Sequence, residues 1–145
     1  MNVLVDVHCY RGMVVYMFEY LIGVPFVSGG RDLKTGFDCY GLMKYIYKCN
    51  YIELDEYYIS AFDCEKVNNK IKDNQKNGKW IKVDVSDLQF LDVLCIKFNS
   101  PIVNHVGVYI GDGKFIHTRE KIGVNIDRIN SPAWRHRIDS IYRRV

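Results

Sequence analysis

The chain has no uninterrupted apolar stretch of about 18 residues, the length a membrane-spanning helix needs. Arg11, Glu19, Arg31 and Asp32 punctuate its most hydrophobic region, so no membrane span is expected. A strong charge of either sign is also missing. Twenty Lys and Arg against 17 Asp and Glu leave a formal charge of +3, well short of the basic stripe of a nucleic-acid partner. The five cysteines, Cys9, Cys39, Cys49, Cys64 and Cys95, are odd in number and never stand in C-x-x-C spacing. That argues against a disulfide framework or zinc cage and for reduced thiols. The first ten residues carry Asp6 and no basic leader, so no secretory signal is expected. No internal repeat is visible, and Gly111-Asp112-Gly113 lacks the length and following Lys of a phosphate loop.

What remains is 145 residues, 48% hydrophobic and 26% charged, which suits one domain with one core and excludes wholesale disorder. Met13, Val14, Met17, Phe18 and Leu21 recur at helical spacing and predict an amphipathic helix over Arg11 to Ile22. Gly23, Pro25 and Gly29-Gly30 end it. A second helix is predicted from Cys39, because Cys39, Leu42, Met43, Ile46 and Tyr47 form one stripe. Residues 51–82 are rich in Lys and Asn, with a turn at Asn77-Gly78, and read as a polar insertion, partly helical and mostly solvated. Short strands follow over Val93 to Phe98, His105 to Ile110, Lys114 to Thr118, Gly123 to Ile126 and Ser140 to Arg144. Helices first and strands afterwards predict an α+β domain over residues 1–145 with an antiparallel sheet.

Unpaired N–H groups at a helix start favour a thiolate, and Cys39 stands there behind a capping Asp38, with Gly41 leaving the first turn open. The alternative is a small buried hydrophobe. A nucleophilic thiol needs a base. In His105-Val106-Gly107-Val108-Tyr109-Ile110, alternation puts the aliphatic residues on one face and His105 on the other, and Gly107 leaves space beside it. Where His117 points depends on the hairpin. A two-residue loop at Asp112-Gly113 sets it on the face opposite His105. A three-residue loop of Gly111, Asp112 and Gly113 makes the two histidines diagonal neighbours on one face. Cys39, His105 and His117 then suit a nucleophile, a base and a group that orients the base. His8 has no partner at suitable spacing, and His136 sits between Arg135 and Arg137 on a solvated face.

Gly36-Phe37-Asp38-Cys39-Tyr40-Gly41-Leu42, then Leu91-Asp92-Val93, then the run from Asn104 to His117 resemble the NlpC-type cell-wall peptidases, which are papain-like cysteine hydrolases. The resemblance spans roughly Leu21 to Arg144 and implies N-terminal helices packed on a central antiparallel sheet. It implies a Cys-His-His triad of Cys39, His105 and His117, and no metal or organic cofactor. The implied substrate is the peptidoglycan stem peptide, cut between D-γ-glutamate and a diamino acid, with Phe26, Asp38, Tyr40 and Gly107 near it. Phe26 stands where many members carry tyrosine, and Tyr40 where serine often follows the nucleophile. Gly23-Val24-Pro25-Phe26 leading into Gly29-Gly30-Arg31 resembles short phage-encoded members. Those are tail-tip proteins, which implies tail partners and a chain made in the cytoplasm and carried in the virion. The alternatives are a tail-tip structural protein of the same fold with little activity, and a papain-like amidase or acyltransferase on another amide.

Overall fold

The structure, a computed structural model, describes residues 18–145. The predicted helix over Arg11 to Ile22 lies largely outside them, and its described part forms a single 3-10 turn, Glu19–Leu21. A two-stranded ribbon, β1 (Arg31–Asp32) and β2 (Gly36–Phe37), leads into helix α1 (Cys39–Cys49). Helix α2 (Cys64–Gln75) follows, and then β3 (Trp80–Val83), β4 (Val93–Ile96), β5 (His105–Gly111), β6 (Lys114–Arg119), β7 (Gly123–Arg128) and β8 (Ile138–Arg144). These six strands form one antiparallel sheet in the order β3-β8-β4-β5-β6-β7, so the α+β expectation holds.

The stripe on α1 explains its packing. Leu42, Met43, Ile46 and Tyr47 are buried with Val93, Val106, Val108, Ile110, Ile116 and Val124 in the layer between helix and sheet. Strand alternation sends Leu94, Ile96, Phe115 and Ile141 to the other face, where Trp134 and Ile129 cover them. Burying an aliphatic side chain of this size stabilises by about 1.5–3 kcal/mol, so the stripe fixes how α1 lies on the sheet. No described helix is long and apolar enough to cross a membrane.

Residues 51–82 are partly helical, and among them only Leu54 and Asn68 are buried. Asp63 caps α2 by accepting from the Lys66 N–H at 3.1 Å, and buried Asn68 donates to the Val103 carbonyl at 3.0 Å. Leu54 is buried in the main core. Trp80–Val83 pairs with β8 as an edge strand, a segment hidden in the sequence by the polar run before it. Cys39, Cys64 and Cys95 are free thiols, but Cys49 is disulfide-bonded. That corrects the expectation of thiols reduced throughout, since cross-linking depends on backbone proximity that residue spacing does not reveal.

The β5–β6 hairpin settles where His117 points by a route the sequence did not suggest. Gly111 pairs with Lys114, leaving Asp112 and Gly113 as a two-residue turn, and both have positive φ, 54° and 71°. The register then shifts between Tyr109 and Gly111, so that Tyr109 faces Phe115 and Val108 faces Ile116. One bulged residue replaces the three-residue loop and reverses the alternation. Continuing that register, His117 stands opposite Gly107 and Arg119 opposite His105.

Candidate active site

Asp38 locks the start of α1. Its Oδ1 accepts from the Gly41 N–H at 2.8 Å and from Arg31 Nη1 at 2.9 Å, and its Oδ2 accepts from the Gly29 N–H at 2.8 Å. One buried carboxylate thus caps the helix and holds the preceding loop against it. Gly41 is small for the same reason, since a Cβ there would lie 1.9 Å from the Gly30 carbonyl oxygen. Its role is close backbone approach rather than an opening in the first turn.

Cys39 is half-buried as a residue, but its sulfur is buried, with the backbone N–H groups of Val106, Tyr40 and Cys39 directed at it. Those donors favour the thiolate. Burial, and next the charge of Asp38, work the other way and push the thiol up to about 12. The helix-start effect is outweighed by desolvation, so the resting group is a protonated thiol, not the thiolate expected from position alone.

Val106 directly follows His105, which places the cysteine beside the start of β5. His105 Nε2 and His117 Nδ1 are 2.9 Å apart, and His117 Nε2 lies 2.8 Å from Asp127 Oδ2. An ionised carboxylate only accepts, so the 2.8 Å contact assigns the proton to His117 Nε2 and leaves Nδ1 as an acceptor. His105 then donates from Nε2, and its Nδ1 carries the lone pair. One carboxylate thereby sets both tautomers. Both imidazoles are buried, and burial holds their pKa values below 6.5, well below for His105, where His117 and Arg119 depress it further. For His117 the Asp127 hydrogen bond opposes the burial. Asp127 is held low by that bond, with a smaller lowering from the Trp134 indole.

Asp127 escaped the sequence reading because the seventh strand was ended at Ile126, one residue short. It pairs with Phe115 while Asn125 pairs with His117, so it is the diagonal neighbour of His117 on the same face. A strand extended by one residue puts it in view.

The other expected residues fall in different places. Tyr40 borders the thiol, stacks on Tyr57 at 4.3 Å between centroids, and donates its hydroxyl to the Asp55 carbonyl. Phe26 is half-buried against Phe62 at 6.0 Å. The space beside Gly107 is filled by the Phe115 ring, 2.8 Å from where a Cβ would stand. Residues 54–61 form a strap along one wall of the cavity that Cys39 lines. Arg31 secures them through Glu56 at 2.9 Å and the Tyr57 carbonyl at 2.9 Å, and Ala61 N–H donates to Ser28 Oγ at 3.0 Å. Beneath the strap and α2, a cavity lined by Met43, Leu54, Tyr57, Ile71 and Trp80 reaches Cys39. Among the described residues no group of three or more His, Cys, Asp or Glu could hold a metal ion.

A helix that opens on a cysteine and lies across an antiparallel sheet bearing paired histidines defines a papain-like α+β protein. Residues 23–143 match the NlpC/P60 family, and the chain belongs to it. It is 30% identical over 129 residues to the "Probable endopeptidase YafL" of Escherichia coli strain K12, covering 88% of this chain and 47% of that protein. It is 30% identical over 121 residues to the "Tail tip assembly protein K" of Escherichia phage lambda, covering 79% of this chain and 61% of that one. A crystal structure of an NlpC/P60 family protein from Bacillus cereus ATCC 10987 superposes with a TM-score of 0.62 at 27% identity, over 90% of this chain and 39% of that one. The chain spans about half the length of these curated relatives.

Proposed function

We propose that this chain is a single-domain peptidoglycan hydrolase that cuts stem-peptide amide bonds, between D-γ-glutamate and a diamino acid, at the tail tip of a phage. Cys39 is the nucleophile, His105 the base and His117 the orienting residue, with Asp127 behind it. The observation that carries this reading is the Asp127–His117–His105 chain, which leaves a lone pair on His105, the residue before the Val106 whose backbone N–H is directed at the Cys39 thiol. The endopeptidase name of the Escherichia coli relative and the tail-tip name of the lambda relative support the reaction and the location.

Because the thiol is raised and the imidazole lowered, proton transfer accompanies attack. His105 Nδ1 takes the Cys39 proton as the sulfur bonds to the amide carbon. The tetrahedral oxyanion accepts from the Cys39 backbone N–H. Collapse breaks the C–N bond, and the leaving amine takes the proton from His105. A water that His105 deprotonates then hydrolyses the thioester and regenerates the thiol.

A second reading, a tail-tip structural protein with little turnover, is favoured by the strap that walls the cavity beside Cys39. Wild type and Cys39→Ala incubated with purified sacculi separate the two. New amines are expected from wild type alone, and equal release from both proteins excludes the hydrolase.

A further inference from the structure

On the sheet face that carries the imidazoles, opposite α1, two arginines share one pair of rings. Arg119 and Arg137 each place their guanidinium carbon 5.5 Å from the centroids of both Phe98 and Trp134. Those rings border the proposed catalytic pair directly. Phe98 lies 6.0 Å from His105, and Trp134 meets His117 edge-on at 4.6 Å. Both arginines are half-buried. Among the described residues neither forms an ion pair, and the buried Nε of Arg119 has no hydrogen-bond partner. The carboxylate that Arg119 influences, Asp127, is already engaged by His117.

Two charges in a poorly solvated place without a counter-ion are costly, whereas stacked guanidinium groups are preorganised to bind a carboxylate through paired N–H groups. The geometry points to Arg119 and Arg137 as a subsite for a carboxylate on the amine side of the scissile bond. This rests on the reaction proposed above and adds its specificity. The acyl carbon must sit at Cys39, on the α1 side of the sheet. The leaving nitrogen must sit at His105, so the chain continuing from that nitrogen passes over the face where the arginines stand. Carboxylates are abundant in wall peptides, and an amidated neighbour gives the guanidinium pair no charge to meet.

The test uses two synthetic stem peptides that differ only at the residue following the cleaved bond, one with a free carboxylate and one with the carboxamide. Wild type is expected to favour the acid in kcat/KM by roughly 10-fold or more, the size of a charge-assisted contact. Arg137→Gln and Arg119→Gln are each expected to bring the acid-to-amide ratio toward one, with Arg137→Lys keeping part of it. Calorimetry of both peptides with Cys39→Ala protein reads the subsite without turnover, and the acid should bind more tightly there too. A wild-type ratio near one, or a ratio that survives both Gln variants, overturns the subsite. If wild type cleaves neither peptide but the Cys39→Ala protein still prefers the acid, the proposed reaction fails and the subsite stands. Equal binding of the two peptides sinks the subsite alone.

Discussion

The two sides of Cys39 are built on different terms. On the sheet side, every ring nitrogen of the described chain from His105 Nε2 to His117 Nε2 has a partner at 2.8–2.9 Å, anchored by one carboxylate and walled by Trp134 and Phe115. On the other side, the cavity that Cys39 lines is walled by a strap tied down through a few contacts of Arg31, Tyr40 and Ser28, with several exposed residues between them. A dry, fully satisfied network is rigid and costly to disturb. A strap held by side chains on a half-exposed segment opens at lower cost. The histidine pair proposed as the proton relay is therefore held in place, and access to the thiol is the variable part.

The comparison breaks most readily at Asp127. Asp127→Ala leaves His117 without its acceptor and free to take the wrong tautomer, and it is expected to lower kcat about 10- to 100-fold with KM little changed. Asp127→Asn retains an acceptor oxygen without the charge and should recover part of the loss. Steady-state kinetics on a defined muropeptide decide it, and equal rates for all three proteins would remove Asp127 from the relay. The strap side is probed by Tyr57→Ala. Removing this ring opens the thiol to water, weakens the burial that raises it and is expected to speed alkylation of Cys39 by iodoacetamide about tenfold, one unit of thiol pKa. An unchanged rate would show that the cover lies elsewhere.

The smallest effect separates the sides by pH. Both histidines have folded pKa values below 6.5, so between the folded values and 6.5 the unfolded chain binds more protons than the native one. Their contribution is fully present above 6.5 and is lost as the pH falls through that window, by at most about 1.4 kcal/mol per unit for each histidine. Thermal melts from pH 7.5 down to 5 should fall accordingly, and His105→Gln should flatten the decline. A melting temperature independent of pH in this range contradicts buried, neutral imidazoles.

Much of the sheet side was legible. The α1 stripe, the capping Asp38 and the alternation around His105 are local patterns, and local patterns survive into the fold. Asp127 was hidden by a strand end, the least certain feature of a periodicity. The bulge beyond Tyr109 was hidden because nothing in Ile110-Gly111 distinguishes a bulged residue from part of a loop. The strap side was far less legible. Residues 54–61 have no helical or strand period, and their place is set by Arg31 and Ser28, more than twenty residues away. The raised thiol follows from that distant cover, so the helix start alone pointed in the wrong direction.

The β5–β6 ribbon carries a further consequence, for protein engineering. Because a bulge corrects the facing of every residue beyond it, the turn cannot be shortened or lengthened by a single residue without a compensating change in the strand. Deleting the bulged position would rotate β6 about its own axis, presenting Ile116 and Thr118 to the imidazole face and driving His117 into the aliphatic layer beneath α1. Grafts or loop exchanges at this hairpin should therefore carry Tyr109 through Lys114 as one piece.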